Sequence, residues 1–381
     1  MRLIFLHSAR EWSGTARAFG RAAAALAERG WKVTLLAPAD SNVELGVSAR
    51  KNKEGGEERE LPYDVIAFDT AGFWFFAARR LRKLFRRWDA DAVFVTTDRE
   101  HLIAATTCWL ARRGSVVRRT PAGVRLEMSF SGRVASRLAN TVYLFASEAD
   151  RNAAVVPVSS LTSAVAELGV NVDDYPNDGN PTSNLQEPDS AGREIPKYIV
   201  CVYDPSSRGR AATAIRCISM LAPRHPALRL LIVGAGSDHE DLRMQASALR
   251  ILHLVSFLGE RDDQLALMRD AVLGWVVAEG DTAAYGILDL MALAKPLLAS
   301  EVGVAQHYVA NGISGTLYPV DDSAATAAVV SSLLAHEENR LTMGRAARTR
   351  VARDFSESAM VEGFAEAAEI GQRRTRRKGA G

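Results

Sequence analysis

The sequence predicts an α/β protein built as two Rossmann-like domains that face a cleft. Three observations carry this reading. Short apolar runs alternate with longer amphipathic segments almost throughout, no hairpin signal interrupts them, and one proline-rich stretch divides the chain. Strand, helix, strand order without hairpins is the mark of a parallel sheet. At 381 residues the chain also exceeds what one core comfortably serves.

Residues 3–6 read as a buried strand, 15–29 as an alanine-rich helix and 33–37 as the next strand. Further strands are expected at 65–68, 92–96, 116–117 and 142–145, with helices at 74–88, 102–112 and 132–139. Residues 40–61 are polar, charged and glycine-containing, and read as an exposed insertion loop. The stretch 176–196 holds four prolines and almost no large apolar residues, so it reads as the linker between a domain at 1–175 and one at 197–355. After it the alternation restarts with strands at 198–202, 228–233, 254–258, 272–277 and 296–299. Helices fall between them at 210–221, 238–249, 262–269 and 285–294. A long helical region follows from Asp322, and residues 356–381 form a terminal helix ending in a basic, disordered tail around 373–378.

Composition excludes several classes. A net charge of +2 gives no global basic excess for nucleic-acid binding. Three cysteines without metal-ligand spacing argue against a disulfide framework and a zinc site, and fit a reducing compartment. The short apolar start is no signal peptide, and no run is long enough to span a bilayer. The expected location is the cytoplasm. No metal is expected, because no paired-aspartate cluster sits in a loop suited to hold one; Asp262-Asp263 and Asp321-Asp322 read as helix caps.

Residues of the second half form an ordered series: Leu231-Ile232-Val233-Gly234-Ala235-Gly236, then Val255-Ser256-Phe257-Leu258-Gly259, then the stretch from Asp281 to Pro296. Glu301-Val302-Gly303 and Asn311-Gly312-Ile313-Ser314-Gly315 close it. Each piece alone is weak, but their order and spacing resemble the C-terminal domain of family 4 glycosyltransferases. Gly169-Val170-Asn171-Val172-Asp173 is similar to the segment that closes the first domain of that family. The resemblance implies a GT-B fold, a terminal helix that returns to the first domain, and retaining transfer of a sugar from a nucleotide-sugar donor. The donor is then the substrate rather than a cofactor.

The family's central motif is two glutamates separated by seven residues, and the matching positions here are Asp281 and Asp289. The resemblance makes Asp289 the ribose ligand and places Asp281 in the loop before the helix, near the sugar. The helix N-terminus then faces the donor phosphates. Where the family has a glycine-phenylalanine-glycine turn, this chain has Thr282-Ala283-Ala284, followed by Tyr285, and added Cβ atoms crowd a close backbone approach. The family's phosphate clamp pairs an arginine with a lysine-glycine step. Here Arg208-Gly209 stands for the second element, while Val202 or Tyr203 stands where the first cation belongs. Arg208 and Asp281 are therefore the candidate catalytic residues. Ser13, Gly14, Arg208, Gly209, Gly234, Leu258, Thr282, Ala283, Ala284, Tyr285 and Asp289 are the candidate donor-binding residues. His7 and His307 read as structural, and Arg118 and Arg119 as candidates for a phosphate contact.

Residues 79–87 carry six cations behind an aromatic start at Phe73, Trp74, Phe75 and Phe76. Such a helix suits an anionic membrane surface, on the inner face for a cytoplasmic protein; the plainer reading is a solvated basic face. The function expected is sugar transfer from a nucleotide-sugar to a glycan or lipid-linked acceptor, with retention and without a nucleic-acid partner. A second reading of the altered motif is a catalytically weakened GT-B protein acting as a binding subunit. An epimerase of the same fold has no supporting residue.

Overall fold

The computed structural model describes residues 1–41, 61–155, 162–176, 197–237, 239–320 and 322–379. It divides into two compact units, Met1–Leu168 with Ser358–Gly381, and Gly169–Glu357.

The first unit runs β1 (Arg2–Leu6), α1 (Gly14–Glu28), β2 (Lys32–Ala37), β3 (Asp64–Ala67), α2 (Trp74–Arg87), β4 (Ala92–Val95) and α3 (Asp98–Ala111). It continues with β5 (Ser115–Arg119), α4 (Phe130–Leu138), β6 (Thr141–Phe145), α5 (Glu148–Asn152) and β7 (Ser163–Val165). The strands pair in parallel in the order β3-β2-β1-β4-β5-β6-β7. A sheet covered on both faces needs apolar residues on both sides, and β4 and β6 are buried at every position. All of these helices except α2, which starts after Phe73, begin where a short polar side chain caps them. Ser13 accepts from the Ala16 N–H, and Thr97 with Glu100 forms a capping box for α3.

The second unit runs β8 (Tyr198–Val202), α6 (Arg208–Leu221), β9 (Arg229–Val233), α7 (Glu240–Ala248), β10 (Val255–Gly259) and α8 (Gln264–Asp270). Then come β11 (Leu273–Val276), α9 (Gly280–Ala292), β12 (Leu297–Ser300), α10 (Ala305–Tyr308), β13 (Thr316–Tyr318), α11 (Ser323–Ala335) and α12 (Glu337–Asp354). Its sheet is also parallel, ordered β10-β9-β8-β11-β12-β13. In both sheets the order reverses once, between β1 and β4 and between β8 and β11. Open α/β sheets bind ligands beyond the strand carboxyl ends at such reversals.

The last helix, α13 (Glu357–Gly379), supplies Phe364 to the first unit's core, where it meets Phe5, Phe19 and Phe94. Gly363 makes this possible, since a Cβ there would collide with the Val165 carbonyl. The tail expected to be disordered is helical through Gly379. Thr375 anchors it by donating to the Gly114 carbonyl at 3.2 Å while Asn140 donates to its hydroxyl.

Other expectations shift as well. The stretch 169–175, assigned to the first domain by sequence, belongs to the second unit: Val170 bridges to Ser356, and Arg348 donates to the carbonyls of Val172 and Tyr175. The helical region after Asp322 is three helices, broken at His336 and before Glu357. The strands Ser163–Val165 and Thr316–Tyr318 are too short to register as apolar runs. The insertion loop from 42 to 60 and the linker from 177 to 196 lie outside the described residues.

Candidate functional site

The reversal between β8 and β11 gathers most of the candidate residues. Just past β8, Asp204 accepts from the N–H groups of Ser206 and Ser207 at 2.9 and 3.1 Å, and its other oxygen accepts from the Glu279 N–H at 2.5 Å. One carboxylate thus ties the loop after β8 to the loop after β11. Arg210 braces the same place, donating to the Val277 carbonyl at 3.2 Å and pairing with Glu279 at 2.5 Å.

Beside them the chain after β9 turns at Gly234, whose φ is +139°. A Cβ at Gly234 would collide with the Tyr203 carbonyl, so only glycine lets the two loops approach this closely. The Gly234 N–H donates to the Gly259 carbonyl at 2.9 Å, which sets half-buried Leu258 beside the turn. Gly209 faces open space. The Arg208 side chain is 47% exposed, and its ion pair with Asp241 is 3.4 Å long. A surface pair of that length holds a guanidinium weakly and leaves it able to turn toward an anion. Tyr203, by contrast, belongs to the unit's core; burial pushes its phenol pKa up while the Arg208 guanidinium opposes the shift.

α9 begins five residues before the helix expected from sequence, with Gly280 at a φ of +58° and Glu279 as its extended N-cap. Asp281 is therefore in the first helical turn, not in a loop, and is only 4% exposed. Thr282 is half-buried, and Ala283, Ala284 and Tyr285 are buried. Asp289, two turns on, is buried too, and its Oδ1 accepts the Tyr175 hydroxyl at 2.5 Å.

The family profile described as glycosyl transferases group 1 matches residues 186–350. Those residues are a group 1 glycosyl transferase domain. A phosphatidyl-myo-inositol mannosyltransferase of Mycolicibacterium smegmatis is 34% identical over 149 residues, 38% of this chain and 37% of that protein. A glycogen synthase of Mycobacterium tuberculosis is 31% identical over 144 residues, 37% of this chain and 35% of its own length. The chain thus spans little more than a third of the length of the curated relatives it matches. Among solved structures, Anabaena HepE in complex with UDP and glucose superposes with a TM-score of 0.75 at 17% identity, covering 97% of this chain and 99% of that one. The fold is GT-B.

The group 1 domain therefore holds Arg208, Gly209, Gly234, Leu258, Asp281, Thr282, Ala283, Ala284, Tyr285 and Asp289, while Ser13 and Gly14 belong to the first unit. There Ser13 caps α1 and Gly14 is its buried first residue. The first unit's reversal has its own carboxylate tie. Glu100 accepts from the N–H groups of Ser8, Thr96 and Thr97 at 2.6, 2.9 and 2.9 Å. Arg118 and Arg119 are both buried; the Arg118 guanidinium pairs with Asp98 and donates to the His101 Nδ1 at 3.3 Å. That acceptor role leaves the Nε2 proton of His101 to be donated to Thr141 at 3.1 Å. His307 packs edge-on against Tyr308 and Phe355.

Sequence reasoning passed over Asp204, Arg210, Glu279 and Tyr175. Glu279 had a signal, being a glutamate two residues before the aspartate chosen in its place. The partners of Asp204 and Tyr175 lie 75 and 114 residues away, where no motif reaches.

Proposed function

We propose that the chain transfers a sugar, with retention, from a nucleotide-sugar donor to a glycan or lipid-linked acceptor. The observation that carries this is the loop cluster past β8, β9 and β11 of a group 1 domain. It combines a glycine-only turn, an exposed and loosely paired arginine, and a carboxylate beside a helix N-terminus. Arg208 swings from Asp241 to the donor diphosphate, where a guanidinium fork stabilises the leaving charge. The Gly234 turn and the α9 N-terminus supply backbone N–H groups to the same anion. Glu279 is the accessible carboxylate for the sugar, with Asp281 behind it in the first turn. Asp289 takes the ribose hydroxyls, held in position by the Tyr175 hydroxyl.

That a neighbour of the same fold is solved with UDP and glucose supports a nucleotide diphosphate here. The test is incubation with UDP-, GDP- and ADP-sugars, following sugar release to water or to added acceptor by NMR. Release with the donor's anomeric configuration, lost in Arg208→Ala, supports the reading. No release with any donor, despite nucleotide binding, supports a binding subunit instead.

Contact with an anionic membrane surface belongs to this proposal. On α2 the exposed Phe73 and Phe76 precede Arg79, Arg80, Arg82, Lys83, Arg86 and Arg87. No helix among the described residues is long and apolar enough to cross a membrane. Sedimentation with anionic vesicles, weakening with salt and with neutralised α2 cations, is the expected result.

A further inference from the structure

The amino edge of the first sheet, away from the strand carboxyl ends, carries a cavity of about 740 Å³. Gly114 and Asn140, the residues just before β5 and β6, form its floor, and the last turns of α2, α3 and α4 form its walls. Five arginines line it: Arg82 and Arg86 from α2, Arg112 and Arg113 after α3, and Arg137 from α4. Among the described residues, no carboxylate lines it. Arg113 pairs with Asp89. Among the described residues, the guanidiniums of Arg82, Arg86, Arg112 and Arg137 make no hydrogen bond or ion pair, and the Arg82 Nε is buried without an acceptor.

Helix C-termini attract cations, which accounts for one arginine at each end. It does not account for five converging on one concavity, where only Arg113 has a counter-charge among the described residues. Arg112 adds an independent point. It holds the C-cap of α3 at a φ of +56°, a left-handed position that favours glycine, yet carries the side chain that reaches the cavity.

We infer that this cavity binds a phosphate-bearing anion of at least two negative charges, free or carried on a lipid headgroup. Guanidinium forks match phosphate oxygens, and the volume suits a small ligand. The inference goes beyond the sugar-transfer reading and does not depend on it, because no donor-site candidate lines the cavity.

The test uses the full chain with Arg208→Ala as background, so that the donor site contributes no diphosphate clamp. Arg112→Gly and Arg137→Gln remove two guanidiniums at exposed positions, and glycine suits the left-handed backbone at 112, so the fold is kept. Both lie outside α2, leaving its basic face intact. Pyrophosphate is titrated calorimetrically, and retention is measured on vesicles of three parts phosphatidylcholine to one part phosphatidic acid. The background protein is expected to bind pyrophosphate, with affinity falling at least about tenfold in R112G/R137Q. Pyrophosphate binding without vesicle retention assigns a soluble phosphate. Retention that R112G/R137Q weakens and pyrophosphate reverses assigns a headgroup. Pyrophosphate affinity and vesicle retention both indifferent to the two substitutions, or absent from the background protein, overturn the inference. Failure of nucleotide binding in the Arg208-bearing protein is read separately and bears only on the donor site.

Discussion

The two sheets solve the same problem at their reversals with the same device and put the results to different use. In the first unit Glu100 ties three N–H groups of the β1 and β4 loops together, and in the second Asp204 does so for the β8 and β11 loops. Glu100 is 1% exposed, a carboxylate closed off from water, whereas Asp204 is half-buried among exposed Ser206, Arg208 and Gly209. A closed tie is architecture. An open one, with a glycine turn and arginines around it, is a place where an anion can be held. Fold topology alone did not separate the two; the surroundings of one carboxylate did.

Replacing the two carboxylates breaks or sharpens this contrast most. Glu100→Ala takes a buried carboxylate from three part-buried N–H groups and is expected to cost about 4–5 kcal/mol in urea unfolding, whereas Asp204→Ala, whose loop reaches water, costs about 2 kcal/mol. Equal costs would erase the distinction between a closed and an open reversal.

The next effect in size is a pH dependence confined to the first unit. Burial, with Arg118 adding to it, lowers the His101 pKa to about 3 from its ordinary 6.5, against the pull of Asp98. The unfolded chain therefore takes up a proton near pH 6.5 that the folded one refuses until about 3, so stability falls as pH drops through that window. The loss is at most about 5 kcal/mol. His101→Gln should flatten the acid limb of the stability profile.

The second unit has a smaller counterpart. Burial lowers the Lys295 pKa to about 8. Between about 8 and the usual lysine range the unfolded chain holds a proton that the folded chain has lost, so this group makes stability rise with pH. Lys295→Met should therefore stabilise by about 2 kcal/mol near neutral pH, and less toward pH 10. A gain that is the same at both pH values would show that the ammonium is not the source of the cost.

Much of the second unit was legible because its signals are local. The glycines at 234 and 236 follow a buried strand, and the strand at 198–202 has the limits read from sequence. Asp281 was misplaced into a loop because the stop-and-start of α9 depends on the left-handed Gly280 and on Asp204, which holds the Glu279 N–H from 75 residues away. The first unit's arginines were harder still. Arg82 and Arg86 read as one helix's basic face, and nothing in the sequence shows that Arg112, Arg113 and Arg137 meet them.

Calorimetric titration with uridine, UDP, GDP and ADP, on the wild type and on Arg208→Ala, tests the open reversal most directly. The account predicts that one nucleoside diphosphate binds, that Arg208→Ala weakens it by about 1.5–3 kcal/mol, and that affinity for the bare nucleoside barely changes. Wild-type protein that binds no nucleoside diphosphate would contradict it, as would diphosphate binding that is indifferent to Arg208.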